Sequence, residues 1–541
     1  MTLDEFHRII VTHFGFKPTA EQNKAIHTFC QFMASRADRP AMVLCGSAGT
    51  GKTSIVSAMI NALVSLRQKV VLLAPTGRAA KVLSMNAGVP AFTIHRRIYR
   101  QKTFTGDMTG FNLNFNKQRD TLFVVDEASM ISNDSFASGG GQFGSGCLLD
   151  DLMEYVYSGE NCRLMLVGDR AQLPPVGEEE SPALMGDVIA GAYGLDLYSA
   201  EMNEVLRQAA DSGILYNANV IRQMITHDEA TQLPRIRFKG FADIIMVPGD
   251  ELIEGLASSY SKVGQDETMV VTRSNKRANI FNNGIRNMVL GREEELTPGD
   301  MLMVVRNNYH WIAQNSQNSQ SSYSSHSSQN SQNSQNSHSS QFSNKKPLSQ
   351  SLSVHPLSPL GESEGASLAE PEGASLEGPS FSFIANGDRA KVRRVRNVQE
   401  LYGFRFADLS LEFPDYDNYE LDATVILNSL QSESPSLTHE QSEQLFNGVL
   451  ADYADIPLKA DRMKHVREDK YYNALQIKFA YAVTCHKAQG GQWAHVYLDQ
   501  GYMTDEMLTP DYIHWLYTAF TRATEKLFLV NWPKTQTEED K

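Results

Sequence analysis

The sequence predicts an α/β protein: two domains on parallel β-sheets, a small β-rich module inserted into the second, and a disordered insertion beside that module. Short β-prone runs, AMVLCG (41–46), KVVLLAPT (69–76), TLFVVDE (121–127) and CRLMLVGD (162–169), alternate with amphipathic helical stretches, the pattern of βαβ units. A second set, TMVVTRSN (268–275), IKFAYAVTCHKAQG (477–490), HVYLD (495–499) and KLFLV (526–530), predicts a second domain of the same class. At 541 residues the chain can bury a separate core in each of two or three domains.

The expected division is a first domain over 1–204, with a hairpin insertion near 100–120, and a second over 205–313 and 471–541. Residues 314–380 are a Ser/Asn/Gln tract running into Ser/Pro/Gly/Glu, which cannot bury enough apolar surface to offset its ordering entropy and is expected to be disordered. Its simplest reading is an expanded loop, and the alternative is a tether or a docking segment for protein partners. From 381 to 470 the chain shows strand-like segments (FIANGDRAKVRRVRNVQE, FADLSLEF, LDATVILNSL) without helical alternation, hence a β module.

Composition narrows the class. Hydrophobic residues make up 41% and charged residues 21% of the chain. No apolar run approaches the roughly 18 to 20 residues that span a bilayer, so no membrane partner is expected. The start, MTLDEFHRII, lacks an export signal, and a cytoplasmic chain is expected. Cys30, Cys45, Cys147, Cys162 and Cys485 are odd in number and without CxxC spacing, which argues against both a disulfide framework and a zinc site. A net charge of -14 argues against a wholly basic nucleic-acid binder, but a phosphate backbone is gripped by a local basic strip rather than by net charge.

The strongest motif is Gly46-Ser47-Ala48-Gly49-Thr50-Gly51-Lys52-Thr53, a GxxxxGK[ST] pattern after a predicted strand and before the helical run SIVSAMINALVSL. Its glycines let backbone N–H groups close on phosphate oxygens, Lys52 reaches the β and γ phosphates, and the Thr53 hydroxyl holds Mg²⁺. ATP and Mg²⁺ are therefore the expected cofactors. A later strand ends in Asp126-Glu127, which puts Asp126 where the metal sits and leaves Glu127 to polarise the attacking water. The next strand ends in GDRAQLPP, from which Gln172 can reach the γ-phosphate or its water.

The ordered series GSAGTGKT, APTGRAA (74–80), TIH (93–95), VVDEASM, GDRAQLPPVG, VLRQ (205–208), TCHKAQGGQW and YTAFTRATEKL (517–527) resembles the motifs of superfamily 1 DNA helicases, in particular the RecD-like, Pif and Dda group of 5′→3′ enzymes. The resemblance covers nearly the whole chain outside the low-complexity tract. It implies two RecA-like P-loop domains that close on Mg-ATP, with single-stranded and forked duplex DNA as partners and a monomer as the working form. Carried over by position, Gln22 would read the adenine, and Arg207 and Arg522 would reach the γ-phosphate from the second domain. Thr76, His95, Thr484, His486 and Lys487 would contact the DNA backbone or couple it to ATP. The segment 100–120 stands where the family carries a strand-splitting hairpin, with Phe104, Phe111 and Phe115 available to stack on bases. Lys391, Arg393 and Arg394 are candidates for further backbone contacts from the β module. The alternative function is a DNA-stimulated ATPase or translocase that does not open duplex. A P-loop kinase would explain neither HKAQG nor the arginine of AFTRA.

Overall fold

The structure, a computed structural model, describes residues 1–101, 111–133, 144–204, 211–227, 233–308, 310–312 and 384–538. Arg207, Phe104 and the 314–380 tract lie outside the described residues.

In the first domain the strands are β1 (Pro40–Gly46), β2 (Lys69–Ala74), β3 (Ala91–Thr93), a short antiparallel hairpin of β4 (Tyr99–Gln101) and β5 (Phe111–Leu113), then β6 (Thr121–Val125), β7 (Arg163–Gly168) and β8 (Asp196–Met202). All but the hairpin form one parallel sheet in the order β3-β2-β6-β7-β1-β8. Every residue of β1 is buried, as its unbroken apolar run predicts for a strand covered on both faces. Alternate side chains feed two cores. Met42, Leu44, Val124 and Val167 pack with Ile26, Phe29, Ile55 and Met59 on one face. Ala41, Val43, Val125 and Leu166 pack with Leu149, Leu152 and Tyr155 on the other.

The second domain opens with β9 (Ile244–Val247) and β10 (Thr268–Thr272). The chain then leaves for a closed barrel of β11 (Met301–Val304), β12 (Arg389–Leu401), β13 (Phe404–Phe413), β14 (Tyr419–Ile426) and β15 (Leu475–Phe479). It returns with β16 (Ala482–Thr484), β17 (Trp493–Asp499) and β18 (Ala523–Val530), giving a parallel sheet in the order β16-β10-β17-β18-β9. The fold is thus two RecA-like α/β domains with a small barrel set into the second.

The module's limits differ from the expected 381–470. Its first and last strands, β11 and β15, lie outside that range, and the run IKFAYAVT is split, Leu475–Phe479 closing the barrel and Ala482–Thr484 joining the sheet. Apolar periodicity alone does not reveal that split, because burial continues through both halves up to Val483. The module also carries two helices, His439–Asp452 and Lys459–Glu468, where none was expected. The first has a Thr438/Gln441 capping box that was legible as THEQ, but only Leu445 and Val449 are buried along it, too few to register as an amphipathic period.

Where the barrel joins the second domain, Asp300 is fully buried at the centre of a polar node. It accepts from Arg286 Nε and Nη2 at 3.1 and 3.0 Å, from Arg292 Nη1 at 2.8 Å, from Tyr481 Oη at 3.0 Å and from Thr297 N at 2.8 Å. Burial alone would raise the carboxyl pKa, but the donors of Arg286, Thr297 and Arg292 outweigh it and hold it below the ordinary value. Asp300→Ala is expected to destabilise the second domain by about 3 to 5 kcal/mol, because it strands buried arginine charge. Urea unfolding at pH 7 measures this. With the folded pKa depressed, the contribution of Asp300 is present above the unfolded pKa of about 3.9 and is lost as pH falls through the folded value, so the difference between wild type and variant shrinks in acid.

Candidate nucleotide site at the interdomain seam

The loop between β1 and the helix Lys52–Ser65 closes on itself through two left-handed glycines, Gly49 (φ 78°) and Gly51 (φ 77°), a conformation that costs a side-chain-bearing residue. Gly51 is the helix N-cap and supplies no side-chain acceptor, so the first helical N–H groups are left for an anion. Thr50 Oγ1 donates to Ser47 O at 2.8 Å, and Lys52 Nζ donates to Gly46 O at 2.9 Å. Thr53 is exposed in the first turn of the helix.

Gln22 is buried against this loop. Its amide oxygen accepts from Thr19 N at 3.0 Å in a capping box, and its amide nitrogen donates to Thr50 O at 2.9 Å. It therefore braces the loop directly.

At the end of β6, Asp126 has its pKa raised to about 6 by burial and by the charge of Glu127, with Lys52 pulling the other way. Glu127 takes a left-handed φ of 52° and donates its N–H to Asp126 Oδ1 at 2.9 Å. At the end of β7, Asp169 Oδ1 accepts from Ala171 N at 3.0 Å, and Gln172 is buried beside it. Three buried side-chain atoms here, Ser47 Oγ, Glu127 Oε2 and Gln172 Oε1, have no hydrogen-bond partner. Burying such atoms unpaired is costly, and a phosphate, its metal and an attacking water would satisfy them. The residues present therefore fit Mg-ATP.

The second domain grips the Asp169–Leu173 loop. From helix Pro510–Phe520, His514 Nδ1 lies 3.0 Å from Ala171 O, the Tyr517 hydroxyl donates to Asp169 Oδ2 at 2.6 Å, and Thr518 Oγ1 accepts from Leu173 N at 2.7 Å. Gln489, in the TCHKAQGG segment, donates to Leu173 O at 2.7 Å. Arg522 is 1% exposed and fully engaged within its own domain, donating to Thr518 O (3.0 Å), Gly491 O (3.1 Å) and Thr521 Oγ1 (3.0 Å). It is thus wired to the TCHKAQGG segment rather than extended into the phosphate loop. Tyr517, Thr518, Gln489 and Asp169 were not singled out from sequence. They lie inside the motif runs YTAFTRATEKL, TCHKAQGGQW and GDRAQLPPVG, in which no role was given to them.

The expected nucleic-acid contacts fall in different places. Thr76 caps the helix Gly77–Ala87, accepting from Ala79 N at 3.2 Å. It also abuts the turn after Lys487, where a Cβ added to Gly490 would lie 2.9 Å from the Thr76 hydroxyl. Thr484 precedes the short helix Cys485–Ala488, His486 is exposed, and Lys487 Nζ is buried without a partner. Burial, and the charge of Lys478, lower the Lys487 pKa to about 8. His95 points elsewhere: its ring packs 5.6 Å from Tyr99, whose hydroxyl donates to Asp151, and burial lowers its pKa to about 4. On the hairpin Phe115 is 65% exposed with the Arg100 guanidinium 4.4 Å over its ring. In the barrel Arg393 is ion-paired with Glu412, Lys391 is half-buried opposite the same residue, and Arg394 is exposed.

Residues 17–234 match the family model of an AAA domain, and residues 479–530 match that of the UvrD-like helicase C-terminal domain. The two matches put an ATPase-type domain and a helicase C-terminal domain in the order found in superfamily 1 helicases, to whose RecD and Dda members the chain is similar. Among its relatives, the ATP-dependent RecD2 DNA helicase of Deinococcus radiodurans is 32% identical over 33% of this chain and 21% of its own. The ATP-dependent DNA helicase dda of Enterobacteria phage T4 is 25% identical over 48% of this chain and 55% of its own. The matches therefore span about a fifth and about half of these two relatives. A protein of Acanthamoeba polyphaga mimivirus, R530, is 24% identical over 90% of this chain and 94% of its own. The crystal structure of Pif1 helicase from Bacteroides in complex with ADP-AlF3 and ssDNA aligns over 97% of this chain and 95% of its own, with 13% identity and a TM-score of 0.42.

The buried, unpartnered ammonium of Lys487 is a stability cost. Lys487→Met is expected to raise stability at pH 7 by about 1 to 3 kcal/mol. Because the folded pKa is depressed toward 8, the penalty is full below that value and is relieved as pH rises toward the unfolded pKa of about 10.4. Thermal melts of wild type and variant at pH 7 and pH 9.5 check both the gain and its shrinkage.

Proposed function

We propose that this chain is an ATP-hydrolysing DNA helicase that moves 5′→3′ along single-stranded DNA and opens forked duplex. The observation that carries the reading is the single seam at which the phosphate loop, Asp126-Glu127 and the Gln172 loop of one domain meet the helix and TCHKAQGG segment of the other. Both halves of the site lie in one chain, so a monomer suffices.

In this reading Lys52 exchanges the Gly46 carbonyl for the β and γ phosphates, while Thr53 and Asp126 hold Mg²⁺, which when bound neutralises charge on those phosphates. Glu127 accepts the proton of the attacking water and Gln172 orients it. Arg522 releases its internal acceptors to reach the γ-phosphate, joined by Arg207. Gln22 braces the phosphate loop and presents its remaining amide hydrogen to the adenine. Single-stranded DNA runs past Thr76, Thr484, His486 and Lys487. Since Gln489 in that segment holds Leu173, next to Gln172, strand grip and water placement share one hydrogen-bonded path. The named activities of the Deinococcus and phage T4 relatives support DNA as the track, and the 5′→3′ direction rests on the same subgroup.

Lys52→Ala is expected to lower ATP turnover at least about 10²- to 10³-fold in a folded chain, since the ammonium stabilises transferred charge and supports no core. Glu127→Gln is expected to keep nucleotide binding and lose turnover to a similar degree. Steady-state ATPase with and without single-stranded DNA measures both, and near-normal turnover by Lys52→Ala would overturn the assignment. Wild type is expected to open a duplex with a 5′ tail and leave one with only a 3′ tail closed. DNA-stimulated hydrolysis without unwinding of either would identify a translocase instead.

A further inference from the structure

Tyr517 joins the two domains at one oxygen. Its side chain is completely buried, and its hydroxyl accepts from Ala48 N in the phosphate loop at 3.0 Å while donating to Asp169 Oδ2 at 2.6 Å. Both partners belong to the first domain, whereas Tyr517 is on helix Pro510–Phe520 of the second. Ala48 is the third residue of the GxxxxGKT loop, whose backbone N–H groups cradle nucleotide phosphates. The phenol oxygen therefore takes an N–H that a phosphate oxygen would also seek. Asp169 opens the loop that carries Gln172, so the same hydroxyl touches the phosphate cradle and the water-orienting segment together. Burial and the Asp169 charge keep the phenol protonated, so that it can go on donating to the carboxylate.

We propose that Tyr517 is a nucleotide-displaced latch: its hydroxyl closes the seam on the Ala48 amide, yields that amide to a phosphate oxygen when ATP binds, and stays on Asp169 to hold the Gln172 loop. The inference rests on the ATP-site reading above. It assigns Tyr517 a positioning role and separates two effects that ordinary damage would merge. Without the hydroxyl, Ala48 N–H loses its internal acceptor only while no phosphate is present, so nucleotide binding tightens. Asp169 loses its donor whether or not nucleotide is bound, so turnover slows.

The test uses the full chain and a fluorescent, non-hydrolysable ATP analogue with Mg²⁺. Tyr517→Phe, which conserves the ring, is expected to lower the Kd about five- to tenfold, the ratio worth one net hydrogen bond, while the DNA-stimulated kcat falls. Thr518→Val removes the neighbouring seam contact to Leu173 N without touching the phosphate loop, and is expected to give no tightening. An unchanged or raised Kd for a folded Tyr517→Phe, or equal tightening by Thr518→Val, overturns the latch. Hydrogen exchange on the wild type provides a second reading that needs no variant: the Ala48 amide is expected to be protected without nucleotide, and free exchange there overturns the proposal. Failure of the wild type to bind the analogue at all would instead overturn the ATP-site reading, and the latch with it.

Discussion

The arrangement depends on a short stretch of backbone, Asp169 to Leu173, several of whose polar groups are satisfied by the other domain. Ala171 O, Leu173 N and Leu173 O are paired with His514, Thr518 and Gln489, and the Asp169 carboxylate with Tyr517. The loop also closes on itself, Asp169 accepting from Ala171 N and Gln172 N, and the second domain satisfies the groups that this turn leaves over, each of which would cost on the order of 1 to 3 kcal/mol if buried unpaired. Gln172 lies inside that loop. Its neighbour Leu173 is held by the 484–491 segment and by the helix Pro510–Phe520, so the second domain contributes to its placement.

Polar groups are distributed around the seam in two ways. Some are well satisfied: Asp300 collects donors from Arg286, Arg292, Thr297 and Tyr481, and Arg522 spends three donors on carbonyl and hydroxyl oxygens of its own domain. Those facing the phosphate loop and the TCHKAQGG segment are left short, among them Ser47 Oγ, Glu127 Oε2, Gln172 Oε1 and Lys487 Nζ. Unsatisfied buried groups lower stability, and Ser47 Oγ, Glu127 Oε2 and Gln172 Oε1 are ones that an anionic ligand, its metal and a water would complete.

The barrel is tied into this arrangement from both sides. Asp300 anchors its first strand to the second domain, while Tyr416 and Asp388 press on the start of the helix Gly77–Ala87 in the first. A Cβ at Gly77 would lie 2.3 Å from the Tyr416 hydroxyl and 2.9 Å from Asp388, so glycine is what permits the approach. Tyr416 donates to Asp388 at 2.8 Å, and Lys81 donates to Pro414 O at 2.6 Å across the same contact. Thr76, the cap of that helix, consequently stands between the barrel contact and the Gly490 turn.

By itself the sequence determined the two parallel-sheet domains, the phosphate loop and the Asp126-Glu127 pair, because these are local: a buried parallel strand must be a continuous apolar run, and a phosphate cradle needs its glycines and lysine at fixed spacing. Tertiary structure decided what depends on distant partners. The run 475–484 could be shared between barrel and sheet because burial is nearly continuous along it and marks no boundary, and the THEQ helix was hidden because only two of its residues are buried. His95 turned toward Tyr99 and Asp151, and Arg393 toward Glu412, since an opposite charge or ring nearby in space outweighs any motif position. The junction of Tyr517 with Ala48 and Asp169 spans 469 and 348 residues of chain, and no local pattern encodes a hydrogen bond over such separations.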